Sequence, residues 1–200
     1  MEHKQNHLAQ KQADFATFFM LEHTVNINLA WLALDHAKPD MTLLQQTMPD
    51  AFAIANEAAD LKTSALRPIP SLGEQGEKLM TYLNLQSRKI DILFTTILQQ
   101  QDDPTERHQT HKFGAAGCVM QLAQPIEVGR FARLKMFIPE EAAAVFCYAE
   151  VISCDLLPDL DVYQVSLLYT VIRELDQEVL VRCTMHLQTQ QLKARQTGAS

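Results

Sequence analysis

The sequence predicts an α+β protein. An N-terminal region of short strands and helix leads into a long heptad helix. A small antiparallel β-barrel with a C-terminal helix follows. Three observations predict this. Apolar residues recur at seven-residue spacing between Ser71 and Gln101. From Arg130 to Ile138 the chain alternates, with Ala132, Leu134, Met136 and Ile138 on one face and Phe131, Arg133, Lys135 and Phe137 on the other. Leu175, Val179, Cys183 and Leu187 repeat at four-residue steps, which lines one face of a helix. The divisions that follow are residues 1–70, 71–101 and 105–196.

A chain of 200 residues can hold one large domain or two small ones. Its formal net charge of −7 argues against a large basic face for a nucleic-acid polymer. No apolar run is long enough to cross a bilayer, so no membrane insertion is expected. The start, Met1 to Asn6, has no hydrophobic signal core, and a cytoplasmic protein is expected. Cys118, Cys147, Cys154 and Cys183 are widely spaced inside apolar patterns. In a reducing compartment they read as small buried hydrophobes.

Residues 1–14 are polar and read as a surface helix or a mobile end. Phe15 to Leu34 reads as strand, in two short pieces broken near Glu22 and His23. His36 to Asp40 contains Pro39 and reads as a turn. Met41 to Lys62 carries a helical apolar stripe broken at Pro49, with Thr47 or Asp50 as the cap of a second piece. Arg67 to Pro70 is a stiff connector.

Ser71 and Glu74 form a capping-box pattern that starts the long helix. Leu83, Ile90 and Ile97 fall at one heptad position, and Leu72, Leu79 and Leu93 at the other. Gly76 and Gln86 interrupt the seam, and Gln86 is a candidate for setting register. A strict heptad asks two or more helices to supercoil, which predicts self-association as a dimer or a tetramer. The plainer alternative is an amphipathic helix buried in its own domain. Met80, Leu85, Ile92 and Phe94 add apolar surface beyond one seam, so this helix must bury two sides. Asp102, Asp103 and Pro104 stop it.

Beyond Thr105 the texture is β. Lys112 to Gly117 is turn-like, Cys118 to Leu122 a short strand, and Pro125 to Gly129 a turn. Pro139, Glu140 and Glu141 turn the chain again. Val145 to Cys154 is apolar on both faces except at Glu150. Tyr163, Val165, Leu167, Tyr169 and Val171 share a face of the last strand. Regular short strands with turns between them predict a small barrel. Glu174 to Arg195 then closes the chain as a helix packed on it, with Gly198 just beyond.

From about His111 to Arg195 the chain resembles the PilZ domain. The resemblance lies in the Gly114 to Gly117 turn, in the rhythm of Pro125, Gly129, Leu134 and Pro139, and in Leu180, Leu187 and Gln191 near the end. It implies a receptor for cyclic di-GMP. That family holds the dinucleotide through an R-x-x-x-R motif before the barrel and a [D/N]-x-S-x-x-G motif at the first strand. Here the second motif aligns with Lys112-Phe113-Gly114-Ala115-Ala116-Gly117, and only Gly117 is kept. Lys112 stands in place of the acid and Gly114 in place of the serine. Arg107 has no second arginine four residues away. Two guanidinium forks hold phosphates or a guanine edge bidentately, and one cannot replace two. The whole chain resembles an atypical branch, in which an N-terminal segment and a long heptad helix precede a degenerate barrel.

The candidate ligand-binding residues are therefore Arg107, Lys112, Gly114, Gly117, Arg133 and Lys135. Arg133 and Lys135, between Phe131 and Phe137, form a basic–aromatic face able to stack a base and hold a phosphate. The same face also reads as solvated or covered. His108 and His111 have metal-ligand spacing for a helix but no third ligand, and a solvated loop is the plainer reading. His3 and His7 are similar. No nucleophile–base set, phosphate loop or metalloprotease motif appears, so no enzyme and no resident cofactor are expected. Two functions remain. One is an atypical PilZ signalling protein acting through oligomerisation and an unidentified protein partner in bacterial motility, pilus or biofilm control, with cyclic di-GMP left open as a ligand. The other is a structural adaptor that binds no cyclic di-GMP at all.

Overall fold

The computed structural model describes residues 2–34, 37–54, 73–139 and 143–197. Its elements in chain order are α1 (Glu2–Thr17), β1 (Leu21–Glu22), β2 (Asn26–Trp31), α2 (Met41–Thr47) and α3 (Gly73–Gln99), then β3 (Arg107–Phe113), β4 (Gly117–Leu122), β5 (Phe131–Ile138), β6 (Ala143–Leu157), β7 (Val162–Val171) and α4 (Glu174–Thr197). The connector at 67–70, the Ser71 capping box and Leu72 lie outside the described residues. So do 55–62 of the expected helix, part of the turns at 36–40 and 139–141, and Gly198.

Six strands close on themselves in the order β3-β2-β5-β6-β7-β4, and β4 returns to β3. Every pairing is antiparallel. Closure leaves no edge along these pairings to template aggregation. The alternation in β5 sets its register as expected: Ala132, Leu134 and Met136 are fully buried inside the barrel, and Ile138 is 1% exposed. From the neighbouring strands Ile27, Leu29, Cys147, Val165 and Leu167 meet them in the same core. The α4 stripe of Val179, Leu180, Cys183 and Leu187 joins this core too, as its four-residue step requires.

The barrel is wider in sequence than 105–196. Strand β2 lies between β3 and β5, with Asn28 opposite both Arg107 and Lys135. Only its period of two was visible in the sequence, and a period names no pairing partner. The start of the expected strand at Phe15 is also corrected, because α1 runs on to Thr17. In α1, Phe15 packs with Val119 and Ile152, and Gln12 Nε2 donates to the Ile152 carbonyl at 2.6 Å. Lys11 lies 2.6 Å from Glu150, the one charged residue of the central β6 stretch. A nearly buried carboxylate is tolerable there because it is paired.

Strand β6 is apolar on both faces because both are covered. Its inward residues fill the barrel, while Ala144, Phe146 and Tyr148 form a second core with Leu44, Phe52, Leu98 and Val171. Asp40 caps α2, accepting from the Leu43 backbone N–H at 2.8 Å. Thr47, one of the two candidate caps for the second piece, lies in the last turn of α2 with its hydroxyl 2.8 Å from the Tyr148 hydroxyl. A helical stretch at 50–54 brings Phe52 over the β6 aromatics. Gly129 adopts φ +91°, a left-handed backbone that the turn between β4 and β5 needs and that glycine supplies at no steric cost. Three cysteines are buried and Cys154 is half-buried, with no disulfide among the described residues. Burial pushes the Cys118 thiol up to about 12.

Candidate functional site

Two places carry the residues singled out in the sequence: the outer face of β3, β2 and β5, and the body of α3. Directly opposed residues in an antiparallel sheet share a face. Arg107, Asn28 and Lys135 therefore form a row across three strands, on the side away from the barrel core.

That row meets the end of α3. Asn28 is 1% exposed. Its side-chain amide donates to Asp102 Oδ1 and to the Asp103 carbonyl, both at 2.9 Å, and its oxygen accepts from the Asp103 backbone N–H at 2.9 Å. Arg107 grips the Asp102 carboxylate through Nη2 at 2.6 Å and Nε at 3.0 Å. The Arg107 guanidinium, assisted by the Asn28 amide, holds the Asp102 carboxyl below its ordinary range. Lys135 Nζ donates to the Gln101 carbonyl at 3.2 Å. Arg133 Nη2 reaches both Glu106 oxygens, at 3.0 and 3.1 Å. The basic–aromatic face is thus covered by residues 101–106, and Phe137 on the same strand stacks at a tilt on Phe52 at 5.7 Å.

Lys112 is on β3 and pairs with Glu22 at 2.9 Å, part of the β1–β3 contact. The two glycines are packed tight. A Cβ on Gly114 would stand 2.3 Å from the Phe19 carbonyl oxygen, and one on Gly117 would stand 2.1 Å from the Leu167 carbonyl oxygen. Gly117 is required by the close approach of β7, and the same Cβ would also stand 2.5 Å from the Phe15 ring. Gly117→Ala is expected to destabilise the barrel by about 1–3 kcal/mol, because the obstructing atom is backbone and cannot swing away. Urea unfolding followed by circular dichroism measures it, and an unchanged midpoint would contradict the close approach.

His108 and His111 lie on strand β3, not on a helix or in a loop. His108 sits opposite the inward-facing Ile27 and is half-buried, whereas His111 is exposed where the β3–β4 register shifts. With Arg107 and Thr24 they border a shallow polar hollow of about 540 Å³. His7 is on α1, and the side chain of His3 lies outside the described ones. Among the described residues, no cluster of His, Cys, Asp or Glu has the makings of a metal site. No helix among them is long and apolar enough to cross a membrane.

Among the described residues, the apolar side chains of α3 that join a core lie near its C-terminal end. Among its described side chains Leu98 alone is buried, and Phe94 packs beside it on the second core. Leu79, Leu83, Ile90, Leu93 and Ile97 are 43–63% exposed, and Tyr82, Leu85 and Ile92 are exposed beside them. Gln86 is half-buried. An exposed apolar row of this length is what contact surfaces look like, since soluble monomers rarely show one. The sequence missed Asn28, Asp102 and Glu106. A second asparagine two residues after Asn26 in an otherwise apolar strand, and a double aspartate with its first residue five before an arginine, were the available signals.

Comparison with solved structures agrees with this architecture. A protein of Xanthomonas campestris, described as a tetrameric PilZ domain self-assembled via an unusual helical bundle, superposes with a TM-score of 0.52 at 15% identity. The match covers 90% of this chain and 93% of that one. An inhibitor of motility from Bacillus subtilis matches 42% of each chain at 24% identity, with a TM-score of 0.40. No family model and no curated protein matches the sequence. The fold is that of a PilZ domain: a closed six-stranded antiparallel barrel with a C-terminal helix, extended here by helices.

Proposed function

We propose that this chain, having the PilZ fold, is an atypical PilZ signalling protein that works through self-association and protein contacts, without the standard cyclic di-GMP site. The observation that carries the reading is the exposed heptad row on α3. Five apolar side chains at the two seam positions stand in solvent in the single chain, and a second copy of the same helix is the partner that fits their repeat. The Xanthomonas protein of the same fold, whose tetramer is described as forming via a helical bundle, supports this choice of occupant. Tyr82, Leu85 and Ile92 broaden the apolar surface past one two-helix seam, which favours a tetramer over a dimer.

The loss of the standard ligand mode rests on geometry as well as on motif. Arg107 is held by Asp102, Lys112 by Glu22, Arg133 by Glu106 and Lys135 by a backbone carbonyl. Gly114 and Gly117 lie under the Phe15–Met20 segment. A dinucleotide would have to displace these partners, with no arginine pair to compensate. The role is then that of a non-enzymatic adaptor in control of motility, pili or biofilm. Calorimetric titration with cyclic di-GMP is expected to show no low-micromolar binding. Low-micromolar heat that vanishes on Arg107→Ala would overturn the reading and restore the receptor.

A further inference from the structure

Resting on the reading of α3 as the assembly helix, we propose that the cluster around Asn28 is a rigid joint. It fixes the direction in which α3 leaves the barrel, so that in an assembly each barrel keeps a set angle to the helix bundle.

The residues between helix and barrel, 101–107, form a short bridge tied down at nearly every step. Lys135 on β5 takes the Gln101 carbonyl just past the helix end, where unpaired carbonyls and the dipole both favour a cation. Asn28 on β2 holds Asp102 and Asp103, and Arg107 on β3 holds Asp102 from the other side. The Glu106 backbone carbonyl accepts from the Leu29 N–H at 2.9 Å, and its side chain takes Arg133. Three adjacent strands therefore each hold the bridge.

The residue type at 28 carries the argument. Asn28 is almost fully buried on a strand, where asparagine is disfavoured and an amide without partners is costly. It must donate to one backbone carbonyl and accept from the N–H of the same residue, Asp103, while also donating to Asp102. A carboxamide can do all three, whereas valine or threonine would serve the sheet alone. Buried polar groups satisfied in this way specify one arrangement. The rest of α3 touches little of the barrel, so its direction is set here and at Leu98 and Phe94.

The test measures an angle and not an affinity. Spin labels go on Arg88→Cys in α3 and Gln121→Cys on β4, both exposed, in a Cys154→Ser background. The labelled full-length chain is diluted with unlabelled chain, and pulsed dipolar spectroscopy gives the distance distribution within one molecule. The parent is expected to give a narrow distribution. Asn28→Ala should broaden it about twofold, and Asp102→Asn less so, with the mass and far-ultraviolet circular dichroism unchanged. Unchanged widths in both variants would overturn the joint. Should Asn28→Ala fail to fold, Asp102→Asn and Arg107→Gln decide the matter in the same way. Because the distance is measured within one chain, a monomeric parent would sink the assembly reading and leave the joint standing or falling by its own result.

Discussion

Replacing Ile90 and Leu93 together by alanine is expected to dissociate the protein to monomers while leaving the barrel folded. Both side chains are about half exposed or more in the single chain, at 49 and 63%, so the chain's own fold loses little. In a helical seam they become core residues, and each large-to-small change there costs about 2–5 kcal/mol per chain. Two such changes in each of two chains sum to about 8–20 kcal/mol, at or above the roughly 8 kcal/mol that a micromolar dissociation constant represents. Light scattering after size separation reads the mass, and the barrel melting transition is the control. A mass unchanged from wild type would mean that the seam lies elsewhere on α3 or that the helix serves another purpose.

The second large effect is expected at Phe146. This ring is 1% exposed, edge-on to Phe52 at 6.0 Å and to Tyr148 at 6.1 Å. It belongs to the second core, which joins α2 and the end of α3 to the outside of the barrel. Phe146→Ala removes a fully buried ring from a site lined by Phe52, Tyr148 and aliphatic side chains, at a cost of about 3–5 kcal/mol. That is a large part of the stability of an ordinary domain. Chemical denaturation should show an earlier midpoint by that amount. A loss below about 1 kcal/mol would show that the second core contributes little and that α2 is only loosely attached.

What was legible in the sequence follows from which interactions are local. The β5 face was readable because a half-buried strand writes its burial into a period of two, and Ala132, Leu134, Met136 and Ile138 all point inward. The α4 stripe was readable for the same reason at a helical period. The place of β2 was not, since its partners lie about eighty residues away, at Arg107–Gln109, and more than a hundred away, at Ala132–Phe137. Arg107 looked solitary because a motif search asks for a second arginine, while its actual partner, Asp102, read as a helix stop. Gly114 and Gly117 looked like a ligand turn, and the structure shows in addition that neighbouring backbone leaves no room for a side chain. Glycine spacing alone does not separate these two reasons for a glycine.

If α3 meets other copies of itself, the wild-type mass in solution shows it most directly. Sedimentation equilibrium across a micromolar concentration range should give a species of at least two chains of 22.6 kDa, with four the favoured number. A single 22.6 kDa species throughout that range would contradict the account and leave the heptads as a face awaiting a different partner.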